Sequence, residues 1–200
     1  MISVLCPSRG NPALLDRSVR SLRDTAAGEL QILAAIDPDE ADLYAYADAY
    51  PGTEFWVAPE RYGYDRLYAY YQRLAGLALG DWLLIWNDDA TMLTIGWDAQ
   101  ITALPPHICV ADVRSPHYPL CCFPAVRRSA VEALGKFSTD TPHVDTFWGD
   151  IGESAGVLQR ISAYASCESP ARNNPHDFYS LEHQLEMARC AAVLRELVAA

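Results

Sequence analysis

The stretch "DWLLIWNDDATM", residues 81–92, decides how the chain is read. Apolar residues from Trp82 to Trp86 run without a break into Asn87, Asp88 and Asp89. An unbroken apolar run of this kind reads as a strand covered on both faces, the habit of parallel sheets flanked by helices. Two adjacent carboxylates where such a strand stops repel each other and must be solvated or neutralised. The fragment therefore predicts a buried parallel strand with an acidic pair at its carboxyl end.

Upstream, strand and helix patterns alternate. "ISVLC" (2–6) reads as a strand. Asn11 is placed to cap a helix that opens on Pro12, with Leu15, Val19 and Leu22 on one face and Arg17, Arg20 and Arg23 on a solvated one. "LQILAAID" (30–37) predicts a second strand ending on Asp37, "DEADLYAYADAY" (39–50) a helix by composition, and "EFWVA" (54–58) a third strand. A helix is expected from Tyr64 to Leu79, ended by Gly80, with Tyr64, Tyr68, Tyr71 and Ala75 on one face as a core stripe. This β-α-β-α order predicts a mostly parallel sheet in a three-layer α/β/α domain.

Downstream the pattern is less regular. "HICVADV" (107–113) reads as a strand, and "CCFPAVRRSAVEALG" as a short strand, a turn and a helix closed by Gly135. "DTFWGDIGESAGVL" (145–158) reads as helix, "ISAYAS" (161–166) as the last strand, and 177–200 as a long C-terminal helix. With no repeat, low-complexity tract or linker, residues 1–200 are expected to form one domain.

Half of the 200 residues are hydrophobic, enough for one sizeable core. No apolar run reaches membrane-spanning length, and "MISVLCPSRG" lacks the marks of a signal peptide, so a cytoplasmic protein is expected. The cysteines at 6, 109, 121, 122, 167 and 190 make no C-x-x-C pair and read as reduced core thiols, with the side chains of Cys121 and Cys122 pointing apart. A net charge of −11 disfavours a broad nucleic-acid surface. Among the basic residues Lys136 is the lone lysine. Arginine suits bidentate phosphate contacts, and a GC-rich genome produces the same skew.

In an open α/β sheet, ligands bind beyond the carboxyl ends of the strands. Pro7-Ser8-Arg9-Gly10, Asp37 and Asn87-Asp88-Asp89 all fall at such ends and are expected to face one cleft. Asp88 and Asp89 are hard oxygen donors suited to Mg²⁺ or Mn²⁺; the simpler reading is a turn capped by "NDDAT".

Taken together, "SVLCPSRGNPALLDRSVRSL", "AAIDPDE", "GYDRLYAYYQRLAGLALGDWLLIWNDDATM", "GWD", "FPAVRRSAVEALGKF" and "HVDTFWGDIGESAG" make the chain resemble GT-A fold glycosyltransferases. The resemblance covers about residues 2–160 and is nearest to family 2 and its small phage-type members. It implies a nucleotide-sugar half at about 1–98 and an acceptor and catalytic half at about 99–200. It implies that Pro7, Ser8 and Arg9 line the nucleotide pocket and that Asp37 contacts the base or ribose. Arg61 is implied at the base or diphosphate. "NDD" is the D-x-D-type element, with Asn87 where many members carry Asp; Asp88 and Asp89 are left to hold the cation and diphosphate. A late histidine, His176 or His183, is implied as a further metal ligand. The resemblance places Asp145 on the acidic catalytic position, the general base of inverting members, with Asp150 and Glu153 as runners-up and a helix cap as the plain alternative.

The activity that the resemblance implies is a metal-dependent transfer of a sugar, from a UDP-sugar by preference, to a hydroxyl acceptor with inversion. The acceptor is left open between a polysaccharide, a small molecule and a modified DNA base, and so is the oligomeric state. His143 is a candidate for orienting acceptor or donor, and Trp97 and Trp148 are read equally as stacking on a sugar or as core. Three other readings stand beside it. A nucleotidyltransferase also uses an acidic metal pair. A degenerate GT-A domain would bind a sugar nucleotide or partner without turnover. A haloacid-dehalogenase-like phosphatase would need an aspartate nucleophile where Asn87 stands.

Overall fold

The computed structural model describes residues 1–45, 52–167 and 180–199. Eight strands form a continuous sheet in the order β3-β2-β1-β4-β7-β6-β8-β5. They are β1 (Ile2–Pro7), β2 (Leu30–Ile36), β3 (Thr53–Val57), β4 (Trp82–Ile85), β5 (Ala90–Met92), β6 (Val110–Arg114), β7 (Phe123–Arg127) and β8 (Leu158–Cys167). β1 pairs in parallel with β2 and β4, β2 with β3, and β6 with β8. β7 runs against β4 and β6, and β5 against β8. All strands but β5 and β7 therefore share one direction, and the carboxyl ends of β1, β2 and β4 lie on one edge.

The alternation of side chains along each strand divides the core in two. Val4, Ile32 and Leu84 pack on one side with Leu15, Val19 and Leu22 of α1 (Pro12–Thr25) and with α3 (Trp97–Thr102). Leu5, Leu33 and Leu83 pack on the other with α2 (Leu67–Leu77), α4 (Arg128–Leu134), α5 (Val144–Ala155) and α6 (Leu181–Ala199). β4 is buried along its whole length, as its unbroken apolar run requires once helices cover both faces. The three-layer α/β/α architecture is the one expected.

Asn11 caps α1, accepting from the Leu14 amide at 3.1 Å, with Pro12 at the first helical position. Arg17 and Arg20 of α1 are exposed, whereas Arg23 is partly covered. Gly135 closes α4. Several expectations need correcting. Residues 38–44 form a 3-10 helix rather than the opening of an α-helix, and the rest of the expected 39–50 helix falls largely outside the described residues. The tyrosine helix splits into a 3-10 turn (Tyr64–Arg66) followed by α2, which ends before Gly80 at the Ala78 cap. That turn shifts the helical phase, so the buried face carries Tyr70, Tyr71 and Leu74, while Tyr64 is 50% exposed. The last strand is longer than expected, beginning at Leu158 because α5 stops at Ala155. The C-terminal helix begins at Leu181, and the short elements α3 and β5 are additions to the expected set. Trp97 and Trp148 are fully buried, donating their indole N–H to Leu22 O at 3.4 Å and Phe137 O at 2.8 Å. Both are core, which decides against the reading in which either stacks on a sugar.

Candidate functional site

The carboxyl ends of β1, β2 and β4 carry one hydrogen-bonded cluster. The Ser8 amide donates to Ala35 O at 2.8 Å and the Trp86 amide to Leu5 O at 3.0 Å, continuing the ladders past the strand ends. These bonds set Ser8 beside Asp88: the Ser8 hydroxyl donates to Asp88 Oδ2 at 2.7 Å and the Arg9 amide to the same oxygen at 3.2 Å. The Tyr44 hydroxyl lies 3.0 Å from Ser8 Oγ. The Arg9 guanidinium pairs with Asp37, with Asp39 at 3.2 Å and with Glu40 at 3.7 Å. Glu40 also accepts from the Gly10 amide at 2.9 Å. The segment 8–10 is thus strapped to the turn that follows β2. Pro7 ends β1 at the base of this loop.

The electrostatics of the cluster are those of crowded acids. Burial raises the Asp88 carboxyl above its ordinary value; Ser8 and the Arg9 amide pull it down, and Asp89 pushes it up again. The Cys6 thiol is pushed well up by burial and then by Asp88 and Asp89, so the field of the acidic pair reaches into the core behind it. Asn87 is exposed, and its backbone carbonyl accepts from Ser18 Oγ at 3.2 Å and from the Ala90 amide at 3.1 Å. Asn87 therefore shapes the turn through its main chain. The Trp86 indole donates to Ser18 Oγ at 2.7 Å and the Tyr71 hydroxyl to Trp86 O at 3.1 Å, so α1 and α2 grip the strand end that bears the acids.

Asp145 stands in the first turn of α5, where its Oδ1 accepts from the Thr146 amide at 2.8 Å. His143, not Asp145, is the cap residue. Protein surrounds most of the Asp145 side chain, and this burial is the main cause that pushes its carboxyl up to about 6; the Thr146 contacts pull down and Asp150 pushes up. Burial, Cys6, Asp145 and Asp88 together push the Tyr71 hydroxyl well above its usual range. Tyr71 thus feels both Asp88 and Asp145. The Cys122 thiol is pushed up to about 12 by burial, Asp145, Cys167 and Asp112, and Cys167 pairs across β5 with Ala90, next to Asp89. The cysteines are free thiols. Cys121 faces Gly149 of α5 and Cys122 packs into the opposite core, so the two side chains do point apart.

The remaining candidates separate. Arg61 is exposed, and its charge helps hold the Asp39 carboxyl low, after the Arg9 hydrogen bond. Asp150 lines a small groove between α5 and α6 and its charge is felt at Asp145, while Glu153 pairs with Arg160. The His143 ring meets Tyr64 at 6.4 Å between centroids, and its imidazole is pushed down by burial and by His183. His176 lies outside the described residues. A separate groove of about 460 Å³ runs between α2 and residues 136–140, lined by Tyr68, Gln72, Arg73 and Lys136; it carries none of the clustered carboxylates. Sequence reading missed Tyr70, whose hydroxyl donates to Asp37. A helical phase restarted at Leu67 would have found it.

Asp88 and Asp89 fit a divalent cation. Both are hard oxygen donors, Asp88 is partly desolvated, and both carboxylates raise the Cys6 thiol behind them. Among the described residues no group of three or more His, Cys, Asp or Glu side chains is arranged to hold a metal. Mg²⁺ and Mn²⁺ sites built on one or two carboxylates commonly complete their shell with water and substrate oxygens. Among the described residues no helix is long and apolar enough to cross a membrane.

No sequence family matches the chain, and no curated protein matches it in sequence. Solved structures do. Residues 1–349 of TarS from S. aureus, in complex with UDP, align with a TM-score of 0.64 at 11% identity, covering 96% of this chain and 64% of that one. The same fragment with UDP-GlcNAc aligns with a TM-score of 0.62 at 12% identity, covering 96% and 66%. Glucosyl-3-phosphoglycerate synthase from Mycobacterium tuberculosis, in complex with Mn²⁺, UDP and glucosyl-3-phosphoglycerate, aligns at 0.61 with 14% identity, covering 100% and 80%. The chain spans 39% of the longer TarS structure. Identities this low speak for architecture alone, and by that measure the chain has the GT-A fold.

Proposed function

We propose that this chain is a metal-dependent glycosyltransferase that moves a sugar from a nucleoside-diphosphate sugar, by preference a UDP-sugar, to a hydroxyl acceptor with inversion. The observation that carries the reading is the joining of Ser8, Arg9, Asp37 and Asp88 into one cluster at the carboxyl ends of three parallel strands. The likeness to structures solved with UDP, UDP-GlcNAc and Mn²⁺ supports it.

Residues 1–98 hold the donor in this reading. Pro7, Ser8, Arg9, Asp37 and Arg61 bind the nucleotide. Asn87 and Asp88 face the diphosphate, and Asp89, with His176, holds Mn²⁺ or Mg²⁺. When bound, the ion offsets charge developing on the departing diphosphate. Ser8 and the Arg9 amide keep one oxygen of Asp88 fixed, which orients the carboxylate without neutralising it. Asp145, in the half from 99 to 200, is the general base. A carboxyl held at about 6 is ionised at neutral pH yet basic enough to share an acceptor proton as the oxygen attacks the anomeric carbon. The acceptor is a polysaccharide, a small molecule or a modified DNA base, and the setting is cytoplasmic.

The test is a screen of nucleotide sugars for thermal stabilisation in Mn²⁺, because a ligand that binds the native state raises the melting temperature. Release of nucleoside diphosphate is expected; release of pyrophosphate would point to nucleotidyl transfer instead. Asp89→Ala is expected to abolish metal-dependent donor binding, and wild-type affinity in that variant would remove Asp89 from the metal site.

A further inference from the structure

Tyr70 stands at the meeting point of the segment before α2 and the turn after β2. Its hydroxyl oxygen accepts from two successive backbone amides, Tyr62 N at 3.1 Å and Gly63 N at 3.3 Å. Its ring packs edge-on against Tyr62 with centroids 5.1 Å apart. Two consecutive amides can converge on one atom only where the chain bends sharply, and Gly63 allows this at φ 69°. With its lone pairs engaged by these amides, the hydroxyl is left to donate its proton, and it donates to Asp37 Oδ1. Arg9 holds the other oxygen, Oδ2. Asp37 is 3% exposed, so its carboxylate plane is set by these two partners. A carboxylate offers about four acceptor positions; Tyr70 and Arg9 take one on each oxygen and decide where the remaining ones point.

We propose that Tyr70 is a positioning residue for donor recognition: by fixing the Asp37 carboxylate and the Tyr62–Gly63 backbone at once, it selects nucleotides that present an N–H donor to Asp37. This inference rests on the glycosyltransferase reading of the site. Uracil offers an N–H at the ring position where cytosine offers an acceptor, so UDP and CDP are the informative pair. The bound base faces an acceptor-only group held in one orientation, and a cytosine ring nitrogen would meet it lone pair to lone pair. Without the hydroxyl, Asp37 turns about its own torsions and the two amides lose their acceptor, so the preference weakens. Loss of one hydrogen bond to a charged group corresponds to about tenfold in affinity.

The test measures UDP and CDP binding by calorimetry in Mn²⁺ for the wild type, Tyr70→Phe, Asp37→Ala and the double variant. The wild type is expected to prefer UDP. Tyr70→Phe is expected to lower the UDP-to-CDP ratio about tenfold, and to have no further effect once Asp37 is Ala, because it acts through that carboxylate. A mere packing role would weaken both nucleotides alike and persist in the Asp37→Ala background; either result overturns the proposal and leaves the donor reading intact. A wild type that binds no nucleoside diphosphate overturns the donor reading, and this role with it. Should Tyr70→Phe not fold, 3-fluorotyrosine at position 70 keeps the ring and hydroxyl while making that hydroxyl a stronger donor and a weaker acceptor. A UDP-to-CDP ratio unmoved by that change overturns the proposal.

Discussion

A carboxyl group pushed up to about 6 by burial is half protonated near pH 6. If Asp145 takes the acceptor proton, transfer should fall on the acid side with a midpoint near that value, read from the pH profile of the turnover rate. Asp145→Asn should keep donor affinity and lose transfer by about 10²–10⁴-fold; near-normal turnover in that variant would remove the base assignment. The same burial has a stability consequence. The folded pKa lies above the ordinary 3.8, so the fold favours the protonated form. That contribution is complete below about 3.8 and is lost as pH rises through about 6. Asp145→Asn should therefore gain melting temperature over the wild type at pH 8, with the difference shrinking toward pH 5. Most of the strand-end cluster was legible residue by residue, because Ser8, Arg9, Asp37 and Asp88 each sit where an apolar run stops. Tyr70 was not legible, because nothing local announces the 3-10 turn that resets the helical phase before it.

At the scale of elements, the approach of α5 to the sheet sets where Asp145 stands. A Cβ added to Gly149 would lie 2.9 Å from Cys121 Cβ, closer than packed carbons tolerate. Alanine gains about 1 kcal/mol of helix propensity over glycine, whereas forcing an extra carbon into a tight contact costs about 1–3 kcal/mol. The second effect should win. Gly149→Ala is expected to lower the melting temperature by a few degrees, about 2–4 °C per kcal/mol for a chain of this size. A variant as stable as the wild type would mean that Cys121 yields freely. The sequence signals α5 but not this contact. Cys121 and Gly149 are far apart in the chain, and only the packing of α5 onto the sheet brings them together. The 3-10 helix at 38–44 is a similar case: its composition suits an α-helix, and Tyr44 packed against Ser8 and Glu40 bonded to Gly10 hold the tighter turn.

At the scale of the molecule, a chain of net charge −11 concentrates Asp37, Asp88 and Asp89 at the edge where a diphosphate is proposed to bind. Like charges oppose a nucleoside diphosphate unless a cation stands between them. UDP should therefore raise the melting temperature in Mn²⁺ and lose that effect in EDTA. Equal stabilisation with and without the ion would argue against metal-bridged binding. The prediction belongs to the whole fold, because acids and phosphate meet only if three parallel strands end on one edge.

The sequence by itself determined seven of the eight strands, the direction of most of them and the acidic strand ends. Those follow from local chemistry: apolar runs must be buried, and carboxylates cannot remain inside them. Only the tertiary structure decided the strand order, the reversed β7 and β5, the phase of α2 and the burial that raises Asp145. These depend on contacts between residues far apart in the chain, where the free energy of close packing outweighs local preference.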